Sequence, residues 1–575
     1  MGGAGDDSLS GGLGDDLLTG GLGNDEIDGD EGINNKLIEA GITADVGGDI
    51  TLANDSLVGL DTDTLANVQV ANITVSGPLS QFDVSGWTKK GSLTALDGGA
   101  AIVAEKNANF TLANGSLKTT DGMNLSLSGF VDALLTGGDG NTTFTVRGWN
   151  GPGTFNGGAG SNTVEVSNNA DFTLTDTEVE SGGLSLTLNL ITSAKLTGGS
   201  SNNAFDVSAW SGAATLSGSG GTDSLVVERN VAAFALSKSS LMTTGHGALS
   251  LSGIEIAQLV GGEEDNTFTI TDWAGAGTLT GGGGHDSLVA SSKVNGAKFN
   301  LTDEHFDVTK GASLTLDGLS AATLTGGAGN DTFTVSEWTG TGQLVGNGGS
   351  DQLVAKREAD MTLTNTLFTS DAFEEDLEFG DLTLSSVETA YLRGGVDGGE
   401  EIYDYHLDAG EFTLGSVTLQ GSDGFDMLVG GQGNDVLLGG DGEDDLSGGA
   451  GRDLLIGGDG ADVLNGGAGE DILIGGTTNY DDDLIKLSEI MAEWTSGRGF
   501  DSRVNNLLTG VKKNADNQLN SGTVVYGEGD DLTGDPDPSL GGSNSADWFF
   551  ASDSDIVNDF ESPDVTIEDL EAALP

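Results

Sequence analysis

The chain has 575 residues, 90 of them acidic against 21 basic for a formal charge of −69, with 97 glycines and no cysteine. A field of that sign repels phosphate and argues against a nucleic-acid partner, and the lack of cysteine removes disulfides, thiolate metal sites and thiol catalysis. No apolar run reaches the roughly 18 residues that span a bilayer, and length together with repetition favours one elongated repeat body over several separate domains.

The chain opens on three nine-residue copies, GGAGDDSLS from Gly2, GGLGDDLLT from Gly11 and GGLGNDEID from Gly20, which define a segment at 1–35. Each places glycine at positions one and four, aspartate at six (Asp7, Asp16, Asp25) and an aliphatic residue at eight. Met1 runs straight into this array with no basic-then-apolar leader. The expectation is either C-terminal secretion information or a piece of a longer chain, and a start inside a repeat array favours the second.

From 36 to 415 a longer unit recurs six times. Trp87, Trp149, Trp210, Trp273 and Trp338 mark it at intervals of 62, 61, 63 and 65 residues, each five residues after a phenylalanine (Phe82, Phe144, Phe205, Phe268, Phe333). A second aromatic series, Phe110, Phe172, Phe234, Phe299 and Met361, stands in phrases such as FTLTDT and MTLTNT. The sixth unit replaces the Trp by Tyr403 and Tyr405 and runs directly into the next array. Alternating Thr, Val and Leu between glycine-rich corners predicts strands, and the fixed period predicts stacked turns, three of about 20 residues per unit. A string of β-sandwiches is the rival, but about 100 residues per domain is too long for this period. Several corners keep the nine-residue form with aspartate at six: Asp223, Asp286, Asp331 and Asp351; Asn162 and Thr142 replace it in two others. The first four are candidate ligands, with plain turns an equal reading. A tryptophan row could also stack on sugar rings, giving a cell-surface glycan platform, although a fixed Phe-to-Trp frame more often marks packing.

Between 416 and 476 the nine-residue phrase runs six times without a break: GSDGFDMLV, GGQGNDVLL, GGDGEDDLS, GGAGRDLLI, GGDGADVLN and GGAGEDILI. The last three residues of each suit a short strand around one inward leucine, and the glycines suit a tight loop. Strand and loop twice over bring the chain round in eighteen residues. Asp426, Asp444 and Asp462 then line one edge; Asp435, Asp453 and Asp471 line the other. A cation between turns would relieve their repulsion, and an all-oxygen donor set suits Ca²⁺ better than zinc, copper or magnesium.

Over 477–526, DDDLIKLSEIMAEWTSG carries Leu484, Leu487, Ile490, Met491 and Trp494 at helical spacing behind an acidic turn, and Val504, Leu507, Leu508 and Val511 form a weaker helical stretch. These helices are expected to cover the open end of the solenoid, or else to bind a partner. A closing segment at 527–575 returns to the theme in GEGDDLTG, GGSNSADWFFA and DIVNDF; Asp531 and Asp559 are its candidate ligands, whereas GGSNSAD is one residue too long, which weighs against Asp547.

The G-G-x-G-x-D-x-U-x copies resemble the RTX, or hemolysin-type, calcium-binding repeat, strongly over the last arrays and the first 30 residues and only loosely in the middle. The resemblance implies an all-β parallel β-roll or β-solenoid of stacked short strands with a small helical insertion, several bound Ca²⁺ ions, folding on calcium, and an extracellular place on a bacterial surface or secreted protein. The four histidines are scattered, no HExxH, G-x-S-x-G or P-loop occurs, and near-copies offer no unique constellation, so no enzyme is expected. The chain is read as a monomeric structural or adhesive segment, with a glycan or protein ligand as its further partner. The alternative is the RTX tail of an exported hydrolase or toxin whose catalytic part lies elsewhere; a lyase-like β-helix enzyme is disfavoured by the scarcity of basic residues.

Overall fold

The computed structural model describes residues 1–43, 48–59, 61–77, 79–373, 377–395, 403–510, 518–520, 522–525, 529–534, 546–552, 554–558 and 565–566. Val511 and Asp559 lie outside them. Two compact units emerge, 1–264 with 275–278 and 265–274 with 279–575. Each is a solenoid: short strands alternate inward aliphatic with outward polar residues and stack in parallel register into two facing sheets. The all-β solenoid expected from the sequence is therefore the fold, with the glycine corners placing loops along both sheet edges.

In the first unit the plain turn is twenty residues, as in the pairings Val70 with Lys90, Thr143 with Thr163 and Ser193 with Ala213. One turn per repeat is longer. There a three-stranded antiparallel meander, Phe110–Ala113, Ser116–Thr119 and Asn124–Ser128, replaces a single strand, so that Lys90 pairs with Asn124. The repeat thus passes through Gln81–Asp83, Lys90–Ala95, Ala100–Lys106, the meander and Phe130–Gly137. Those five passes are two and a half turns, not the three expected. The half turn moves successive copies to opposite sheets: Phe82 pairs with Ile102 in one, Phe144 with Val164 in the other, and Phe205 with Leu225 back in the first. Meanders consequently alternate between sheets, at 49–66 and 172–189 in one and at 110–128 and 233–252 in the other. Each adds two extra rungs, and alternation keeps the sheets equal in rung number. The second unit places its meanders at 298–317 and 359–385 in the same alternating way.

The two aromatic series form one interior ladder, for Phe110 stacks on Phe144 at 5.2 Å, Phe172 on Phe205 at 5.1 Å and Phe299 on Phe333 at 5.0 Å. All five tryptophans of the repeat are buried. They are packing residues, and the sugar-platform reading falls. Trp210→Ala is accordingly expected to destabilise the first unit by about 3–5 kcal/mol, measured as a lowered urea midpoint; an unchanged midpoint would contradict the packing role. Behind alternate tryptophans sits a buried cation that the sequence reading missed. Lys106, Arg229 and Arg357 donate to the carbonyls of Trp87, Trp210 and Trp338 at 2.6, 2.6 and 3.1 Å, each 24 residues after Phe82, Phe205 and Phe333. They satisfy corner carbonyls that would otherwise be buried without donors.

From Thr418, which pairs with Val436, the turn of the second unit tightens to eighteen residues. After Ile472–Ile474 the chain leaves the solenoid for α1 (Leu484–Trp494) and α2 (Phe500–Thr509). Asp483 caps α1, its Oδ1 accepting from the backbone N–H groups of Ile485 and Lys486 at 3.1 Å each. The helices do not cover an end. They lie on the outward face of one sheet, burying Val436, Leu438, Leu454, Ile456, Ile472 and Ile474 under Leu487, Ile490, Met491, Trp494, Leu507 and Leu508. The chain then rejoins the solenoid: Asp531–Thr533 stacks on Val463–Ala468, and Trp548–Phe550 on Ile472–Ile474. Among the described residues no helix is long and apolar enough to cross a membrane.

Candidate metal centre

Each copy of the tandem array buries its eighth-position leucine, Leu428, Leu437, Leu446, Leu455, Leu464 or Leu473. That pins the register, because a one-residue slip would turn every leucine outward. Leu428 pairs with Leu446, Leu446 with Leu464, Leu437 with Leu455 and Leu455 with Leu473. The sixth-position aspartates therefore stack in the two expected columns, and all six are buried. Within a column each backbone N–H donates to Oδ1 of the aspartate one turn on: Asp426 to Asp444 at 2.8 Å, Asp444 to Asp462 at 2.9 Å, Asp435 to Asp453 and Asp453 to Asp471 at 2.8 Å each.

The second oxygen divides the aspartates into two kinds. Oδ2 of Asp426 accepts from the Ser422 N–H and that of Asp435 from the Gly431 N–H, both at 2.7 Å. Oδ2 of Asp444, Asp453 and Asp462 is buried with no hydrogen-bond partner. Each orphan faces a loop carbonyl of the next turn: a Cβ placed on Gly439 would lie 2.3 Å from Asp444 Oδ2 and 2.4 Å from the Gly457 carbonyl oxygen, and Gly457 and Gly448 present the same cradle. Burial, reinforced by stacked like charges, holds the metal-free carboxyls up, Asp435 to about 6, Asp444 and Asp462 to about 7 and Asp453 to about 8. Buried acceptors facing buried acceptors require a positive charge between them. No group of three or more His, Cys, Asp or Glu side chains among the described residues is arranged to hold a metal. An ion here must draw most of its ligands from main-chain carbonyls, which selects a hard cation with many oxygen ligands, and the donors present fit calcium.

The middle corners supply an internal control. At Asn162 the amide Nδ2 donates to the Leu190 carbonyl at 3.0 Å, and a Cβ on Gly157 would lie 2.3 Å from that nitrogen and 2.4 Å from that oxygen. An N–H donor thus occupies the position where the aspartate corners set an orphan oxygen. The corner closes without charge, as does Asn35, whose Nδ2 donates to the Gly29 carbonyl at 2.6 Å. Among the aspartate corners, Asp286 and Asp351 carry orphan Oδ2 atoms like those of the array, whereas Asp331 is closed by the Gly327 N–H at 2.6 Å. Asp223 is buried, and burial likewise raises Asp223, Asp286 and Asp351 above the usual carboxylate range. At the N-terminal array, Asp7 donates its N–H to Asp25 Oδ1 at 2.8 Å, and Asp16 and Asp25 keep buried, partnerless Oδ2 atoms.

The columns also recruit residues the repeat pattern does not flag. Asp25 donates its N–H to Asp63, Asp16 to Asn35, Asn203 to Asp223, Asp223 to Glu255, and Asp351 to Glu388. In the closing segment the frame is one residue away from the expectation. Asp531 pairs with Val463, a seventh position, so it is not in a column; Asp530 is, accepting from the Asp462 N–H at 3.0 Å. Asp547, which its loop length argued against, accepts from the Asp471 N–H at 2.8 Å.

The family model of the RTX calcium-binding nonapeptide repeat matches four times, at residues 1–35, 321–335, 420–455 and 447–479. No curated protein matches the chain significantly. The matched stretches are the two arrays and the Asp331 corner, where the stacked aspartates and glycine cradles lie; the chain is an RTX-type calcium-binding repeat protein that binds calcium in a β-roll.

Proposed function

We propose that this chain is an extracellular, calcium-dependent structural or adhesive segment of a bacterial surface or secreted protein, and that calcium folds and stiffens it after export. It performs no catalysis: its chemistry is repeated in near-copies, and its buried charges serve stacking. The observation that carries the reading is the run of buried carboxylate oxygens facing loop carbonyls at Asp444, Asp453 and Asp462. An arrangement so unfavourable without a cation couples ion binding to folding, because the unfolded chain holds no such site. Extracellular calcium lies in the range such sites use, and calcium takes the stapling role that disulfides fill in other exported proteins.

The test is a calcium titration of the full chain followed by circular dichroism and direct ion counting. Strand signal is expected to rise with a midpoint near ~10⁻⁴ to 10⁻³ M and to be lost on chelation. Equal strand signal in excess chelator, with no ion bound on adding calcium, would overturn the reading.

A further inference from the structure

The columns do not end where the contiguous copies end. We propose that calcium also binds across the helical insertion, between Asp462 and Asp530 on one edge and between Asp471 and Asp547 on the other, and that these ions fasten the insertion and closing segment to the roll. This rests on the calcium reading above and adds two ion positions outside the matched repeats, built from residues 68 and 76 apart in sequence.

Asp530 reproduces every feature of the contiguous corners. It is fully buried, its Oδ1 takes the Asp462 N–H, and its Oδ2 has no hydrogen-bond partner. A Cβ on Gly475 would lie 2.0 Å from that Oδ2, while a Cβ on Gly457 would lie 2.3 Å from Asp462 Oδ2 and 2.5 Å from the Gly475 carbonyl oxygen. Two turns with their carboxylate oxygens and an intervening carbonyl therefore meet at one place. On the other edge Asp547 is buried, and its Oδ2 lies 2.3 Å from where a Gly534 Cβ would stand. The next member of the first column shows where the run stops. Asp555 Oδ1 accepts from the Gly529 N–H at 3.0 Å, and its Oδ2 accepts from the Ser552 N–H. Asp426 closes its own Oδ2 in the same way through Ser422. The orphan oxygens of this edge, Asp444, Asp462 and Asp530, are thus bracketed by two aspartates that need no ion.

The placement couples these ions to the apolar seat of the helices. Trp548 directly follows Asp547, lies 6.1 Å from Trp494 of α1 and 4.7 Å from Phe550, and packs in the same buried cluster as Ile472 and Ile474. Closing a loop of this length costs chain entropy that an ion bridging both ends offsets. Without the ions, buried like charges at Asp462 and Asp530 oppose the return strand.

Hydrogen exchange and ion counting on the full chain test this, comparing the wild type with Asp530→Asn/Asp547→Asn. Asparagine keeps an Oδ1 acceptor for the Asp462 and Asp471 N–H groups and removes the charge. The wild type should gain protection over 484–509 on adding calcium. The double variant should bind about two fewer ions, lose that gain by about 10-fold or more, and keep the calcium-induced protection of 436–465. An unchanged ion count, or helices protected by calcium as in the wild type, overturns the proposal and leaves the roll's calcium sites standing. Helices equally protected in the wild type with and without calcium mean that the apolar seat alone holds them, which also overturns it. Loss of protection over 436–465 together with the helices counts against it too, since the effect should be confined to the closing turn. A wild type that binds no calcium fails the underlying reading itself.

Discussion

Acid is expected to replace calcium. In the metal-free roll Asp435 titrates at about 6, Asp444 and Asp462 at about 7 and Asp453 at about 8, in each case raised first by burial. In the unfolded chain these carboxyls return to about 4. A carboxyl whose folded value lies above its unfolded one favours the fold when protonated. Its contribution is complete below about pH 4 and disappears as pH rises through about 6 to 8. Each tenfold gain in proton affinity on folding corresponds to about 1.4 kcal/mol, so even a fraction of that gain, summed over the carboxyls of one turn, rivals the ~5–15 kcal/mol that holds an ordinary domain. Calcium inverts the sign: the bound ion favours the carboxylate, and protons then compete with it.

The full chain in chelator should therefore hold roll protection over 436–474 at about pH 5 and lose it toward about pH 8, while saturating calcium should flatten that dependence. Asp453→Asn separates local burial from the general relief of charge near the chain's isoelectric point. The amide should make the metal-free roll more stable at about pH 8 and the calcium-bound roll less stable. Opposite signs from one substitution are hard to obtain from net charge alone. A metal-free roll insensitive to pH over this range, or an Asp453→Asn variant destabilised in both states, would contradict the account.

Much of the site could be read from residue order because eighteen-residue stacking follows from two short strands and two glycine loops, and a buried leucine at position eight fixes which aspartate enters the column. The same rule, applied strictly, places Asp530 two residues before Leu532; two adjacent aspartates in GEGDDLTG hid the frame. The sorting of buried oxygens into closed and orphan was not legible. It depends on whether a loop N–H such as that of Ser422 reaches Oδ2, a matter of tenths of an ångström in loops of nearly identical composition. The helix seat was written in plain view: copies two, four and six flank their inward leucine with Val436 and Leu438, Leu454 and Ile456, Ile472 and Ile474, whereas copies three and five use Asp445, Ser447, Val463 and Asn465. An outward apolar row every eighteen residues requires a cover, and only the amphipathic stretch after 477 could supply it. The half turn of the long repeat was concealed by the meanders, whose strands show the same Thr and Leu alternation as the solenoid strands. Their two-residue connections, Asn114-Gly115 foremost, are hairpin signals and were the available clue.

Gly460→Ala should be the most damaging single-methyl change in the array. The fourth-position glycines stack so closely that a Cβ on Gly460 would stand 1.4 Å from the Gly442 carbonyl oxygen, and one on Gly442 would stand 1.6 Å from that of Gly424. Atoms this close cannot be accommodated by a rotamer change, because both partners are main chain. The turns would have to part by more than an ångström, which breaks the ~4.8 Å rung spacing and pulls Asp462 away from the Asp444 N–H it now accepts at 2.9 Å. Strand pairing, column and ion cradle fail together, so the loss should exceed the ~1–3 kcal/mol of ordinary overpacking and reach about 4 kcal/mol or more. Gly497→Ala is the matched control: its Cβ meets nothing within 4 Å, and its effect should stay within about 0.5 kcal/mol. Calcium titrations read by hydrogen exchange over 436–474 should show Gly460→Ala requiring much more calcium for protection, with Gly497→Ala superimposing on the wild type. Equal calcium midpoints for the two variants would mean that the turns are spaced more loosely than this packing requires, and that the glycines serve loop conformation alone.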